Sequence, residues 1–326
     1  MGTYKGIKGY TVQKLASDPT ASATIGQLFY NSGDNDFKFS QEGTGAYSAG
    51  GLLNESEKAA GATHAGTQSA MICMCGQIPP NAPKDNNEQY DGSSWTEIAD
   101  CQNERRSANS SGTVAGAWLA GGVSSAGSGW AKCETWDGTS WTEVNALNSY
   151  KQSGASVGTA TAGLATSYTS ETWDGTCWTE VGDFQTNRGV AAGAGTQTAA
   201  LAAGGNPNPT GEKVESWNGS SWSEVNGLNT PRQGIGAMGL QTNAVMGGGV
   251  KEPSTFYGNT EVWDGTCFSE GADLTLARQV VQGSGGPATA GLLFGGHFQT
   301  TASAEFTNQT EEWNAPNYSI KTITTS

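Results

Sequence analysis

Charge is what this sequence has least of. Asp, Glu, Lys and Arg together make up 14% of the chain, where soluble domains average about 25%. Cations are the scarcer sign, with 16 Lys plus Arg against 30 Asp plus Glu and a net charge of −14. So few cations cannot line a phosphate backbone, which argues against nucleic acid as a partner. Long apolar runs are missing too. Nothing approaches the roughly 20 residues that a bilayer-spanning helix needs, so membrane insertion is not expected. The opening "MGTYKGIKGYTVQKLASDPTA" lacks the apolar centre of a signal peptide, and Gly6 stands where a myristoylation motif has Ser or Thr. The expectation is synthesis and folding in a cytoplasm.

Histidine is nearly absent, with only His64 and His297. His64 precedes a predicted strand and His297 opens a variable loop, so each reads as an isolated side chain and not as half of a metal or catalytic site. No P-loop or HExxH stretch occurs. The sequence therefore predicts no catalytic residue, no metal and no cofactor. Nor do the six cysteines suggest bridges or zinc, since there is no CxxC. Cys73 and Cys75 alternate on one predicted strand, too close to bridge each other. Cys177 and Cys267 share a slot that Ser94, Ser140 and Ser221 fill elsewhere, which reads as small filler. All six are expected to be free, buried thiols.

Glycine and tryptophan, by contrast, are plentiful, at 48 and 11 residues. They recur in one short phrase: "DGSSW" at 91, "DGTSW" at 137, "DGTCW" at 174, "NGSSW" at 218 and "DGTCF" at 264. Counting Asn314, the steps are 46, 37, 44, 46 and 50 residues apart, a spacing typical of propellers and other repeat arrays. Asp-Gly or Asn-Gly between alternating strands is a strong hairpin signal, predicting a type I′ turn with positive φ at both central residues. The recurring Asp is thus expected to form turns, not to act as a catalytic carboxylate or calcium ligand. The flanking aromatics, such as Trp136 and Trp141, are expected in the core between repeats.

A cation follows ten residues after each second aromatic: Arg105, Lys151, Arg188, Arg232 and Arg278, with Lys58 eleven after Tyr47. Locked to the repeat in this way, they are expected to pair with carbonyls or carboxylates between units.

An aromatic-Asp pair, a second Trp after a short turn, an "L-N-x-x-R" stretch and a strand closing on Gly-Gly resembles the kelch repeat, over about residues 27 to 318. The resemblance implies an all-β, kelch-like β-propeller of four-stranded antiparallel blades. Gly-Gly is replaced by Cys75-Gly76 in one unit and is absent near Ala165-Thr166 in the 37-residue unit. Seven blades are expected, with six as the alternative. Residues 1–24 are expected to form an extended segment and 25–326 one propeller domain. In it the N-terminal strands, turning at Gly33-Asp34 and including Tyr47 in a Trp slot, would complete a blade. Some kelch propellers are copper radical oxidases, but no Tyr-Cys constellation accompanies the two histidines here.

What varies between units is the loop after Gly-Gly: "QIPPNAPKDNN", "VSSAGSGWAK", "NPNPTGEK", "GVKEPSTFYGN" and "HFQTTASAEFTN". In a propeller such loops emerge on one face, and per-repeat variation there marks a binding surface. Trp130, Phe256, Tyr257, Phe298 and Phe306 are the candidate binding residues, expected to be exposed.

A second resemblance covers the chain end to end. "VQKLASDPTASATIGQLFYNSGDNDFKFS", "ESWNGSSWSEVNGLNT" and the terminal "KTITTS" are similar to kelch-type proteins of marine tailed bacteriophages, such as cyanophages. That similarity implies a non-enzymatic virion protein whose partners are other virion proteins and a host-surface glycan. The expected place is the tail or its appendages, in host attachment. A capsid-decorating or knob protein, and a carbohydrate-binding or glycan-hydrolysing propeller, are the alternatives.

Overall fold

The computed structural model of the chain describes residues 12–21, 25–43, 45–55, 61–62, 66–78, 82–125, 127, 130–206, 210–251, 255–279, 284–299, 304–316 and 318–323. Their regular structure is strand, apart from a 3₁₀ turn at Thr210–Glu212. Contacts divide the chain into two units, Met1–Gly45 with Ala315–Ser326, and Ala46–Asn314. The division falls later than the expected boundary after residue 24, and the last twelve residues join the N-terminal unit.

The smaller unit is one sheet ordered Gln13–Leu15, Leu28–Asn31, Asp36–Glu42, Tyr318–Thr322, whose first pair is parallel. Its turn after Asn31 is held by the Asn31 amide oxygen, which accepts the Gly33 N–H at 2.8 Å. Lys38 is buried between Asp18, 2.9 Å away, and Asp34.

The larger unit holds six four-stranded antiparallel sheets. Sheet two is representative: Asn109–Thr113, Gly116–Ala120, Cys133–Trp136 and Trp141–Val144, in chain order. Sheets one, three, four and five begin at Gly61, Ser156, Ala192 and Gly236. Sheet six takes three strands from the chain's end and its outer strand, Ala46–Ala49, from the start. The N-terminal strands divide between two sheets. One of them enters the series, and the other strands make the separate sheet with Tyr318–Thr322. The physical reason is register: Tyr47 sits opposite Trp313, in the slot that Trp141 fills opposite Trp136.

Those cross-strand aromatic pairs recur in all six sheets, with ring centroids 4.8–5.5 Å apart. Six apolar clusters fill the seams between neighbouring sheets, including one in which Leu292 and Phe294 of sheet six meet Met71, Cys73 and Trp95 of sheet one. Small residues let the sheets approach closely. A Cβ on Gly163 would lie 2.5 Å from the Trp118 indole nitrogen.

Glutamines in three of the turns between the first and second strands supply a polar latch. The Gln197 amide of sheet four donates to the Trp173 and Gly163 carbonyls of sheet three, and Gln241 of sheet five does the same to Trp217 and Ala200 of sheet four. Gln68 of sheet one donates to Trp313 and Gly291 of sheet six. The sixth sheet is therefore latched to the first as sheet three is to sheet four and sheet four to sheet five, an arrangement typical of a β-propeller-like fold.

The hairpin turns correct one expectation. Positive φ occurs at the glycine alone, as at Gly138 with φ 97°, so the turn is not type I′. Asp137 takes over instead: its Oδ1 accepts the N–H groups of Thr139 and Ser140, each at 2.8 Å, an Asx-type closure of a four-residue loop. These exposed carboxyls are acidified. Asp137 is held down at about 2, first by the Thr139 hydroxyl and then by the Ser140 N–H. Asp91 is also at about 2, through the Ser94 N–H and the Ser93 hydroxyl. A carboxyl depressed in the folded state stabilises fully above its unfolded value of about 3.9, and loses that contribution as pH falls through the folded value. Asn218 closes the equivalent turn without a charge. Asp137→Asn is therefore expected to fold normally, with a stability deficit at neutral pH that vanishes as pH falls towards about 2. Urea midpoints of both proteins across this range test it, and parallel pH profiles would count against it.

Cys73, Cys75, Cys101 and Cys133 are buried, as expected, but Cys177 and Cys267 are exposed. Their slot is the last position of the hairpin turn, where the backbone N–H points inward to Asp174 or Asp264 and the side chain points out.

Candidate functional site

Strand two of each sheet runs towards the Gly-Gly pair and strand three runs back to the Asp-Gly turn. The variable loops and the hairpin turns therefore lie at opposite ends of the sheets. At the loop end, the first glycine's N–H closes the loop base: Gly121 to the Lys132 carbonyl at 2.9 Å, Gly204 to Lys213 at 2.9 Å and Gly248 to Asn259 at 3.0 Å. The second glycine's N–H reaches the carbonyl of the repeat-locked cation in the following crossing, as in Gly122 to Lys151 at 2.7 Å and Gly249 to Arg278 at 2.8 Å. A Cβ on Gly121 would lie 2.3 Å from the Lys151 carbonyl oxygen, so at this place only glycine fits.

The cations themselves are fully buried. Arg105, Lys151, Arg188, Arg232 and Arg278 pair with Glu134, Glu171, Glu215, Glu261 and Glu311 on the third strand of the sheet that each crossing enters. Each carboxylate also accepts N–H groups from the crossing, as Glu261 does from Asn229 at 2.7 Å and Thr230 at 3.2 Å. Burial pulls the Arg188 and Arg278 guanidiniums below their ordinary range, against their carboxylate partners. In sheet one the equivalent carboxylate is Glu88, which accepts the Asn54 N–H and amide and is pushed up by burial. Lys58, its expected mate, lies outside the described residues, as does His64.

These ion pairs are scaffold, and they leave the loops above them as the variable surface. Here the sequence expectation needs correction: Trp130, Phe256, Tyr257, Phe298 and Phe306 are half-buried, not exposed. The cause is secondary structure within the loops. Val250–Lys251 pairs with Thr255–Phe256, and His297–Gln299 pairs with Ala304–Phe306, which folds the aromatics down onto their neighbours. Phe256 meets the His297 ring edge-on at 5.2 Å, and His297 packs on Phe306 at 5.7 Å. Two adjacent loops thereby form one aromatic cluster. Phe298 lies opposite Glu305 in the second hairpin. The Tyr257 N–H donates to the Gly249 carbonyl at 2.9 Å. Trp130 sits apart, its ring under the Arg105 guanidinium and the Lys132 ammonium at 5.7 and 5.6 Å.

Two aromatics that sequence reasoning passed over are the exposed ones at this end. Tyr150, in the crossing before Lys151, is 59% exposed, and Tyr168, in the nearly deleted loop of sheet three, is 50% exposed. The short loop was itself the signal, because it leaves nothing to cover them.

At the opposite end, shallow grooves repeat between neighbouring sheets, lined by Glu143, Val144, Asn145, Trp173, Gly175 and Thr176 in one case. Asn145 donates to the Thr176 carbonyl at 2.8 Å there, and Asn226 to Thr266 at 2.8 Å in the copy between sheets four and five. Such repetition marks scaffold. Among the described residues, no group of three or more His, Cys, Asp or Glu side chains is placed to hold a metal ion. No described helix is long and apolar enough to cross a membrane.

No family model and no curated protein match the chain. Among solved structures it is similar to the one described as "Structure of YjhT", with a TM-score of 0.64 at 12% identity, over 82% of this chain and 99% of that one. At that identity the likeness concerns the fold alone, and the fold it supports is β-propeller-like.

Proposed function

We propose that the Ala46–Asn314 unit is a six-bladed, kelch-like propeller and that the chain is a non-enzymatic structural protein of a tailed-phage virion. It is made in the bacterial host's cytoplasm and carried on the outside of the particle, at the tail or its appendages. It acts in host attachment, binding other virion proteins and a host-surface glycan through the loop end. Six four-stranded sheets with six apolar seams, the sixth sheet meeting the first, support the blade number. The observation that carries the binding role is the contrast between the two ends. Repeated Asp-Gly turns occupy one, and loops of different length and composition, with the Phe256–His297–Phe306 cluster, occupy the other. The virion reading rests on the resemblance of the terminal phrases to tailed-phage proteins. No cofactor or metal belongs to it.

Imaging of whole purified particles tests the proposal. Propeller-sized density at the tail or its appendages is expected. Density on capsid faces or vertices would refute the tail assignment and favour a decorating protein, and absence of the chain from purified particles would refute the virion role. Hydrolysis of host glycans by the isolated protein would refute the non-enzymatic role.

A further inference from the structure

Cys75 and Cys101 stand at two different positions of the repeat, in the same unit, and they touch. Cys75 replaces the first glycine of the Gly-Gly pair. The Gly76 N–H donates to the Arg105 carbonyl at 3.0 Å, as Gly122 does to Lys151 and Gly249 to Arg278. Cys75 keeps that glycine's left-handed backbone, with φ 53° against 69° at Gly121 and 68° at Gly204, a conformation that L side chains disfavour. Cys101 replaces the leucine of the crossing. Its N–H donates to the Asp85 carbonyl at 2.8 Å, as Leu147 does to Ala131 and Leu228 to Glu212, both at 2.9 Å. Phe184 and Leu274 complete that series. Only this unit has a cysteine at either position, and it has one at both.

Local structure is adjusted to accommodate the pair. The sheet register shifts between Met74 and Gly76, making room for a Cβ that has none in the other sheets. Asn87 spans the site: its amide oxygen accepts the Cys75 N–H at 3.0 Å, and its amide nitrogen donates to the Ala99 carbonyl at 2.9 Å and to the Cys101 sulfur at 3.4 Å. The two Sγ atoms are 2.9 Å apart and both residues are buried. A glycine replaced at a strained backbone position gains nothing from a lone thiol, whereas paired replacement suits a cross-link.

We propose that Cys75 and Cys101 are a cross-linking site, joined as a disulfide when the folded protein meets a small-molecule disulfide such as oxidised glutathione. One thiolate attacks the oxidant and releases one glutathione thiol. The other cysteine's thiolate then attacks the mixed disulfide and releases the second. Both thiol protons end on the glutathione formed, and the oxidant takes up the two electrons. The bond ties sheet one to the crossing that leads into sheet two. Burial, which pushes the Cys75 thiol up, makes the reaction slow and dependent on local opening. The site stands independently of the virion proposal.

The test incubates the full-length reduced protein with oxidised glutathione, with and without low urea, then blocks remaining thiols in denaturant and maps the peptides. A Cys75–Cys101 linked peptide is expected, with the thiol count falling by two from six beyond any adducts at the exposed Cys177 and Cys267. The thermal midpoint should rise by about 5 °C, from a closed loop of this length in a domain of this size, and fall back on treatment with dithiothreitol. Cys75→Gly/Cys101→Leu, which restores the residues of the other units, should fold and lose both responses. Adducts at Cys177 and Cys267 alone, or a linked peptide with any other pairing, would overturn the proposal.

Discussion

Arg232→Ala is expected to destabilise the protein by about 3–5 kcal/mol, the usual cost of leaving one partner of a buried ion pair uncompensated. Arg232 is 1% exposed. Its guanidinium donates to the Gly248 carbonyl at 2.8 Å, Thr230 at 2.8 Å and Met246 at 3.3 Å, besides pairing with Glu261. Truncation strips a donor from all three carbonyls and strands the carboxylate, whose own N–H partners Asn229 and Thr230 cannot neutralise it. Arg232→Ala combined with Glu261→Gln should therefore lose less than the single change, since the stranded charge is gone. Urea unfolding with an unchanged slope reads both values. A loss below about 1 kcal/mol for Arg232→Ala, the range of exposed pairs, would mean that the guanidinium does not hold the crossing.

The scaffold was legible in the sequence wherever the repeat spells out its own chemistry. The period located the sheets, the Trp136–Trp141 type of pair fell directly opposite across the hairpin, and the cations at ten residues past the aromatic became buried partners. The glutamates were not legible. Glu134, Glu171 and Glu215 sit two residues before the aromatic, on the strand face that the ring also uses, but a carboxylate there carries no mark of the cation it meets. Only their burial reveals it. The fate of the N-terminal strands was equally hidden. Tyr47 and Phe39 are both strand aromatics, yet one pairs with sheet six and the other lies opposite Lys321 in a different sheet. The loop aromatics misled as well: short hairpins inside the loops fold them inward, which composition does not reveal.

The second large effect concerns attachment. Phe256 belongs to the cluster joining two neighbouring loops, and Tyr257 follows it at the base of the same loop, where its carbonyl accepts the Arg278 N–H at 3.2 Å. Removing both rings takes apolar contact area from a surface built on the backbone of the Val250–Lys251 hairpin, while the ion pairs and apolar seams beneath are untouched. Aromatic anchors of this kind dominate contact energies, at about 2 kcal/mol or more each, so the double change should weaken binding by about a hundredfold or more. Thr176→Ala and Thr266→Ala, on exposed turns at the opposite end, supply the control. Competition of phage adsorption to host cells by purified protein, with thermal midpoints recorded for each variant, tests attachment through the loop end. The unaltered protein and the Thr176→Ala/Thr266→Ala variant should block adsorption equally, and Phe256→Ala/Tyr257→Ala should fold but fail to block. Equal blocking by all three, or a selective loss from the turn variant without destabilisation, would contradict attachment through the loop end.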